Sequence, residues 1–382
     1  MTDENIRNKI QIKFVKYLSR MKNSFLPLLF LRSVYMNFFL HLRVVQLHIN
    51  TNCNYNCPYC YVDTKIKDVL DTKEWIKVIN EAKQLRVTDI ELLGGEPFLY
   101  KDFYYLLTYI AKQKMDITIY TNGSLINKRW LENLSYLPIK RLIIKYDYNN
   151  STYKKHTRTK ISLNKIKDVI KQCAEKNLTV MTLTTLTKYN VNNAKDIIES
   201  SLKLGAYPLF ERFLPIKNVK INKELQVRKE DYNKAIRLIK KSYSNVQNII
   251  HTKSYIQGNF CLCFSNLISI LPDGSCLPCQ FWPISLRLGN IKDSSLRNIW
   301  NVYKKKRKEW NKLPKECYSC KYKKICNGGC KTHSYLIFGN LNKKDPFCNG
   351  FPPLYGLCGF YMNPELFPKT LDNKAENENL TY

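Results

Sequence analysis

The sequence lacks three features that mark common classes of protein. It has no apolar stretch long enough to cross a membrane, because Pro27 and Arg32 interrupt the apolar residues between positions 25 and 40. It shows no cleavable signal sequence at its N-terminus. Acidic residues are scarce, 31 against 62 basic ones, which gives a formal net charge of +31. We therefore expect a cytoplasmic protein without a membrane span, whose positive charge needs a separate explanation.

A charge this basic suggests a nucleic-acid partner. The lysines are spread along the chain, however, and form blocks only at 304–308 and 321–324. No RNA-recognition signature or helix-turn-helix pattern accompanies them. Nucleic acid is therefore not the expected partner, and a positive field that attracts an acidic peptide fits better. The basic and apolar residues 1–43 are expected to pack on the following domain or to dock a partner.

The chain has 14 cysteines, and many of them stand at metal-ligand spacings rather than as a secreted disulfide framework. Cys53, Cys57 and Cys60 form the pattern C-x3-C-x2-C directly after an apolar, β-branched segment that predicts a strand. Four-iron clusters usually take four thiolates, so three on one loop leave one iron open to a small molecule. A zinc loop is the alternative, but zinc sites usually close with a fourth ligand at regular spacing.

A second motif, Gly94-Gly95-Glu96-Pro97, follows another apolar segment about one βα unit later, and a zinc loop does not explain it. The two motifs together resemble the radical S-adenosylmethionine (radical SAM) superfamily. That resemblance implies that the three cysteines hold a 4Fe–4S cluster and that SAM chelates the open iron. It also implies that the glycines let the backbone approach the methionine part of SAM and that Glu96 accepts from its ammonium group.

The resemblance extends to further contacts with SAM. Tyr59 stands where the family places an aromatic ring against the adenine, and Asn122 ends the third predicted strand. Where relatives often have Ser-x-Asp-Gly, this chain has Lys145-Tyr146-Asp147-Tyr148, so a serine contact to the ribose is in doubt. His156 and Arg158 are predicted in a loop, where Arg158 either meets the SAM carboxylate or is a surface residue. The predicted cofactor-binding residues are Tyr59, Gly94, Gly95, Glu96, Pro97, Asn122 and Arg158; no catalytic side chain is assigned.

Strand-like and helix-like segments alternate between residues 44 and 216. Six strands are predicted, at 44–49, 88–93, 117–121, 141–146, 178–186 and 208–214. Asp71 and Glu74 predict a capping box at the start of the first intervening helix, and Cys173 is expected as a buried thiol on a later one. Alternation predicts a parallel sheet covered by helices, and six units are too few for a closed eightfold barrel. We therefore predict an α/β fold, an open (β/α)6 partial TIM barrel, with its site at the C-terminal ends of the strands.

Ten of the 14 cysteines follow residue 259. Their spacing, with C-x2-C-x5-C-x3-C at 317–330, resembles the SPASM domain of radical SAM enzymes that modify peptides and proteins. The resemblance implies two auxiliary 4Fe–4S clusters in this small domain. The first would use Cys261, Cys279 and Cys330, and the second Cys317, Cys320, Cys326 and Cys348. Either Cys263 is the fourth ligand of the first cluster, or the fourth position of that cluster is open to substrate.

These observations predict five segments: a basic extension at 1–43, a radical SAM core at 44–216, a helical bridge at 217–258, a SPASM domain at 259–350 and a partly disordered tail at 351–382. The implied activity is hydrogen abstraction by a 5′-deoxyadenosyl radical from a ribosomally synthesised precursor peptide, ending in a thioether, ether or carbon–carbon cross-link. A reductant such as flavodoxin or ferredoxin would be a second partner.

Other functions fit part of the pattern. Anaerobic sulfatase maturases share the architecture, but they place an aspartate after the cysteine equivalent to Cys279, where this chain has Gln280. A general base for formylglycine formation is therefore missing at that position. Processing of a cofactor-precursor peptide, as in pyrroloquinoline quinone assembly, stays open. A non-enzymatic iron–sulfur electron carrier is a different class, but it would need no SAM site.

Overall fold

The structure, a computed structural model, describes residues 41–216, 223–246 and 266–348. Within these residues, nine strands form one sheet in the order β6-β5-β4-β3-β2-β1-β7-β8-β9. The strands are β1 Val44–His48, β2 Asp89–Leu93, β3 Asp116–Thr121, β4 Ile139–Lys145, β5 Val180–Leu186, β6 Tyr207–Arg212, β7 Leu267–Ile270, β8 Ser275–Leu277 and β9 Gly289–Asn290. The predictions for residues 1–40, for Cys261 and Cys263, and for the tail lie outside the described residues.

The first six strands are parallel to one another and alternate with helices. These helices are α1 Thr72–Gln84, α2 Phe103–Lys112, α3 Lys128–Ser135, α4 Asn150–Thr157, α5 Leu163–Glu175 and α6 Ala194–Lys203. The six predicted strands are confirmed to within a few residues, and the sheet stays open, as a (β/α)6 partial barrel requires. Because all six strands run the same way, their C-terminal ends lie at one edge of the sheet, where the functional loops begin.

Helix α1 shows how the sequence positions these elements. The Asp71 side chain accepts from the backbone of Glu74 at 2.8 Å, and the Glu74 side chain accepts from the backbone of Asp71 at 2.7 Å. This capping box is the one that the sequence predicts. Trp75, Val78 and Ile79 form the buried face of this amphipathic helix, which packs toward the core. Cys173 is also buried, on α5, as predicted.

The C-terminal part continues the barrel sheet rather than forming a separate layer. Strand β7 pairs in parallel with β1, with Val44 opposite Leu267, and β8 and β9 follow in antiparallel order. Helix α7, Lys229–Val246, packs on the barrel end through Tyr232, Ala235 and Ile239. The remaining helices are α8 Leu296–Trp310, α9 Lys323–Cys326 and α10 Lys331–Phe338. None of the helices in the described part of the chain is long and apolar enough to cross a membrane.

Candidate active site

The cysteine loop leaves β1 and is held against α4. The backbone N–H of Asn56 donates to the carbonyl oxygen of Thr157 at 3.1 Å. The hydroxyl groups of Tyr55 and Tyr153, both buried, are 2.9 Å apart and share a hydrogen bond. These two contacts with α4 therefore help to hold the loop backbone in place.

The three thiols of the loop differ in exposure: Cys53 is exposed, whereas Cys57 and Cys60 are half-buried. Burial raises the pKa of the Cys57 thiol to about 12, and the nearby thiols of Cys60 and Cys53 act in the same direction. Among the described residues, no three His, Cys, Asp or Glu side chains are close enough together to hold a single metal ion. A four-iron cluster instead binds each thiolate at a different iron, so neighbouring thiols on one loop fit it.

The Gly94-Gly95 turn lies directly against the start of the cysteine loop. The backbone N–H of Gly95 donates to the carbonyl oxygen of Asn50 at 2.9 Å, and that of Glu96 donates to the carbonyl oxygen of Asn52 at 2.7 Å. A Cβ atom added to Gly95 would lie 2.0 Å from the Asn52 carbonyl oxygen, which no real structure tolerates. The chain's own backbone therefore requires this glycine, in addition to any approach of SAM.

The Glu96 side chain joins the ends of β2 and β3. It is 1% exposed, and its carboxylate accepts from the Thr121 hydroxyl at 2.6 Å, from the Asn122 backbone at 2.7 Å and from the Phe98 backbone at 3.3 Å. Burial raises the pKa of Glu96 to about 7. A carboxylate offers about four acceptor positions, so three are used by the protein and one is left for the predicted contact with SAM. Pro97, also buried, begins the short 3-10 turn that follows.

Asn122 connects β3 to the cysteine loop. Its side-chain amide donates to the Asn54 side chain at 2.8 Å and lies 4.0 Å from the Cys53 sulfur. Its oxygen accepts from the Ser124 backbone at 2.9 Å and from the Ser124 hydroxyl at 2.6 Å. The structure therefore places this predicted cofactor-binding residue beside the exposed thiol of the loop.

Two polar side chains near the C-terminal ends of β4 and β6, Lys145 and Glu211, interact with each other. The sequence analysis assigns neither of them a role. The Lys145 ammonium is buried without a hydrogen-bond partner among the described residues, 5.0 Å from the Tyr59 ring centroid. Burial lowers the pKa of Lys145 and raises the pKa of Glu211 to about 7, while the opposite charge of each counteracts the shift of the other. Only the order of the strands reveals this pair, because 65 residues separate the two positions in the sequence.

The prediction that His156 and Arg158 share a loop is wrong for His156. Asn149 caps α4 by accepting from Thr152, which brings His156 into the helix. There its ring lies 2.5 Å from the Asp147 carboxylate and 2.7 Å from the Thr187 hydroxyl, all of them buried. Arg158 is exposed and ends the helix in the left-handed conformation at φ +48°.

The Tyr59 ring lies on this buried network, 5.6 Å from the His156 ring in an edge-on arrangement. The network therefore supports one side of the ring that the sequence assigns to adenine binding. Burial lowers the pKa of His156, although Asp147 counteracts this effect. The network is fully enclosed, so we interpret it as a support for the site rather than as a catalytic triad.

Several of the C-terminal thiols lie near one another or near polar groups of the described residues. Cys279 is buried, with its sulfur 3.7 Å from the Thr332 hydroxyl, two residues beyond Cys330. Burial raises the pKa of the Cys317 thiol, and the nearby Cys348 and Cys320 raise it further. The assignment of these thiols to two ligand sets stays a prediction. Cys326 ends α9, and its backbone N–H donates to the Tyr322 carbonyl oxygen at 2.8 Å.

Comparison with known proteins gives two family matches. The Radical SAM superfamily matches residues 47–201, and the SPASM iron–sulfur cluster-binding domain matches residues 261–321. A PqqA peptide cyclase of Granulibacter bethesdensis is 23% identical over 78% of this chain and 84% of its own length. An AdoMet-dependent heme synthase of Methanosarcina barkeri is 22% identical over 80% of this chain and 96% of its own length.

Among solved structures, Streptococcus suis SuiB bound to its precursor peptide SuiA matches with a TM-score of 0.67. The match covers 91% of this chain and 88% of SuiB, at 15% sequence identity. The TM-score and the coverage establish that the two chains share a fold. Fold and cysteine loop together define an iron–sulfur enzyme built on an open parallel barrel. The chain therefore contains a radical SAM domain followed by a C-terminal SPASM domain. Its cofactors are a 4Fe–4S cluster with SAM and auxiliary clusters in the SPASM domain.

Proposed function

We propose that this enzyme modifies a ribosomally synthesised precursor peptide and forms an intramolecular thioether, ether or carbon–carbon cross-link. The observation that carries the proposal is the direct contact of the Gly94-Gly95-Glu96 turn with the cysteine loop, because it joins the two halves of a radical SAM site. The relative named as a PqqA peptide cyclase and the fold of SuiB with its peptide support the substrate class. The enzyme is further proposed to work in the cytoplasm with a reductant such as flavodoxin or ferredoxin.

The residues of the barrel have distinct roles in this proposal. Cys53, Cys57 and Cys60 hold the cluster, which together with SAM supplies abstraction of a hydrogen atom from an unactivated carbon. Asn122 donates toward the sulfur of Cys53, and the carboxylate of Glu96 fixes the ends of β2 and β3 around it. Tyr59, Gly94, Gly95, Pro97 and Arg158 would supply the remaining predicted contacts with SAM.

The two auxiliary clusters are assigned to a SPASM domain at 259–350, after a radical SAM core at 44–216. The first takes Cys261, Cys279 and Cys330, with Cys263 or the substrate at the fourth position. The second takes Cys317, Cys320, Cys326 and Cys348. These clusters would supply an acceptor for the electron left when a cross-link removes two hydrogens, or a binding point for the peptide.

Position 280 separates cross-linking from formylglycine formation. Gln280 follows Cys279, and its side-chain oxygen is buried without a hydrogen-bond partner among the described residues. An amide cannot act there as a general base. This favours a reaction that closes by oxidative coupling.

The test is the mass of the product. The reconstituted enzyme is incubated with SAM, dithionite and the short peptide encoded beside its gene. We expect 5′-deoxyadenosine and a peptide about 2 mass units lighter per cross-link, because coupling removes two hydrogens. Formylglycine on a sulfatase peptide would support the maturase alternative instead. Turnover of a tetrapyrrole but of no peptide would overturn the substrate class and favour the heme synthase type of activity.

A further inference from the structure

Asp345 is a buried residue that accepts hydrogen bonds from the main chain at two of the C-terminal cysteines. One carboxylate oxygen accepts from the backbone N–H of Cys330 at 2.8 Å, and the other accepts from the N–H of Phe347 at 2.9 Å. The carbonyl oxygen of Asp345 accepts from the N–H of Cys348, also at 2.9 Å. The residue is 2% exposed. A single residue therefore fixes the backbone at Cys330 and at Cys348.

Arg212, the last residue of β6, binds the same carboxylate from the barrel side. Its guanidinium donates to both carboxylate oxygens, at 3.0 Å for one and 3.2 Å for the other. It also lies 5.6 Å from the ring centroid of Phe347 and 6.0 Å from that of Tyr232. Burial alone would raise the pKa of Asp345, but the charge of Arg212 holds it below its usual range. The two buried charges thus depend on each other.

The loop between Cys326 and Cys330 is shaped around Asp345. The backbone N–H of Asp345 donates to the carbonyl oxygen of Gly328 at 2.9 Å. Gly329 has a φ of +98°, and a Cβ atom added there would lie 2.2 Å from the Cβ of Asp345. Neither the loop nor Asp345 can shift without the other.

We propose that Asp345 couples the two auxiliary cluster sites to each other and, through Arg212, to the barrel, although it is a ligand of neither cluster. This inference rests on the proposed assignment of Cys330 to the first auxiliary cluster and Cys348 to the second. Asp345 is then a positioning residue: without its charge, Arg212 is left buried and unpaired, and the backbone beside both cysteines loses its anchor. Both auxiliary clusters are lost together.

The test is the iron content of Asp345→Asn after anaerobic reconstitution. The wild-type enzyme should hold about twelve irons, from three four-iron clusters. Asp345→Asn should lose about eight of them, whereas Cys320→Ala should lose only the four of the second auxiliary cluster. Electron paramagnetic resonance of the reduced proteins should show only the barrel cluster in Asp345→Asn. Its reductive cleavage of SAM should continue, because no ligand of the barrel cluster contacts Asp345.

Matched variants separate positioning from general damage to the domain. Asp293→Asn removes an exposed acid from the same domain and should keep all twelve irons, at about four per cluster. Arg212→Lys keeps the charge and should retain more auxiliary iron than Arg212→Gln. The double variant Arg212→Gln/Asp345→Asn removes both charges and should recover auxiliary iron relative to Asp345→Asn, even if the single variant folds poorly.

The outcomes distinguish this proposal from the proposed function. A wild-type enzyme with about four irons would overturn the auxiliary-cluster assignment itself. With twelve irons in the wild type, an Asp345→Asn protein that keeps them all, or loses only one cluster, would overturn the coupling. A double variant with no more iron than the single one would overturn the role of the charge pair.

Discussion

Replacing Gly95 by alanine should damage the barrel cluster site selectively. The added Cβ atom would lie 2.0 Å from the Asn52 carbonyl oxygen, and real Cβ contacts essentially never fall under 3.0 Å. The start of the cysteine loop must therefore move by about 1 Å, which costs about 1–3 kcal/mol as overpacking does elsewhere. The hydrogen bond from Glu96 to Asn52 is lost with it, at about 1 kcal/mol. A penalty of about 2–4 kcal/mol lowers the equilibrium population of the native loop conformation by more than tenfold.

Iron content and SAM cleavage measure this effect. Gly95→Ala should lose about a third of the iron, the share of one cluster in three, and should make little 5′-deoxyadenosine. Gly339→Ala is the matched control, because Gly339 has a φ of +64° and no atom within 4 Å of the added Cβ. It should cost about 1–2 kcal/mol in stability through backbone strain but leave SAM cleavage unchanged. Wild-type iron and wild-type cleavage in Gly95→Ala would refute the steric argument.

Two further predictions concern the barrel. The triple variant Cys53→Ala/Cys57→Ala/Cys60→Ala should fold, keep about two-thirds of the iron and make no 5′-deoxyadenosine, so continued SAM cleavage would contradict the assignment of this loop. Burial raises the pKa of Glu211 from 4.5 to about 7, so the folded state holds an extra proton between these values and stability falls as the pH rises through this range. In Glu211→Gln, the unfolding temperature should therefore change less between pH 5 and pH 7 than in the wild type; an equal change would argue against this pKa.

Local signals in the sequence predicted much of the barrel. The capping box at Asp71 and Glu74 and the apolar strand segments depend on neighbouring residues, so their patterns are visible without a structure. The contact of the glycine turn with the cysteine loop follows from the parallel order of β1 and β2. These features share one property: each is set by residues close in sequence or by adjacent strands.

What the sequence did not reveal depends on distant contacts or on weak local signals. Nothing near Leu267 indicates that its short strand pairs with β1, because a four-residue apolar segment fits many partners. The pair formed by Lys145 and Glu211 appears only when β4 and β6 are placed in one sheet. The loop predicted at His156 is wrong, and Asn149, a typical N-cap residue, is the local signal for the short polar helix α4.

The position of β1 between β2 and β7 has a consequence for the order in which the protein acquires its structure. Ribosomes synthesise β1 more than 200 residues before β7, so during translation the strand that leads into the cysteine loop has one open edge. Open edges attract other chains, and pairing over such a distance is slow. We therefore expect this edge of β1 to need protection from other chains until Leu267–Ile270 emerges. Expressing the barrel without its C-terminal part should yield aggregates rather than a smaller enzyme.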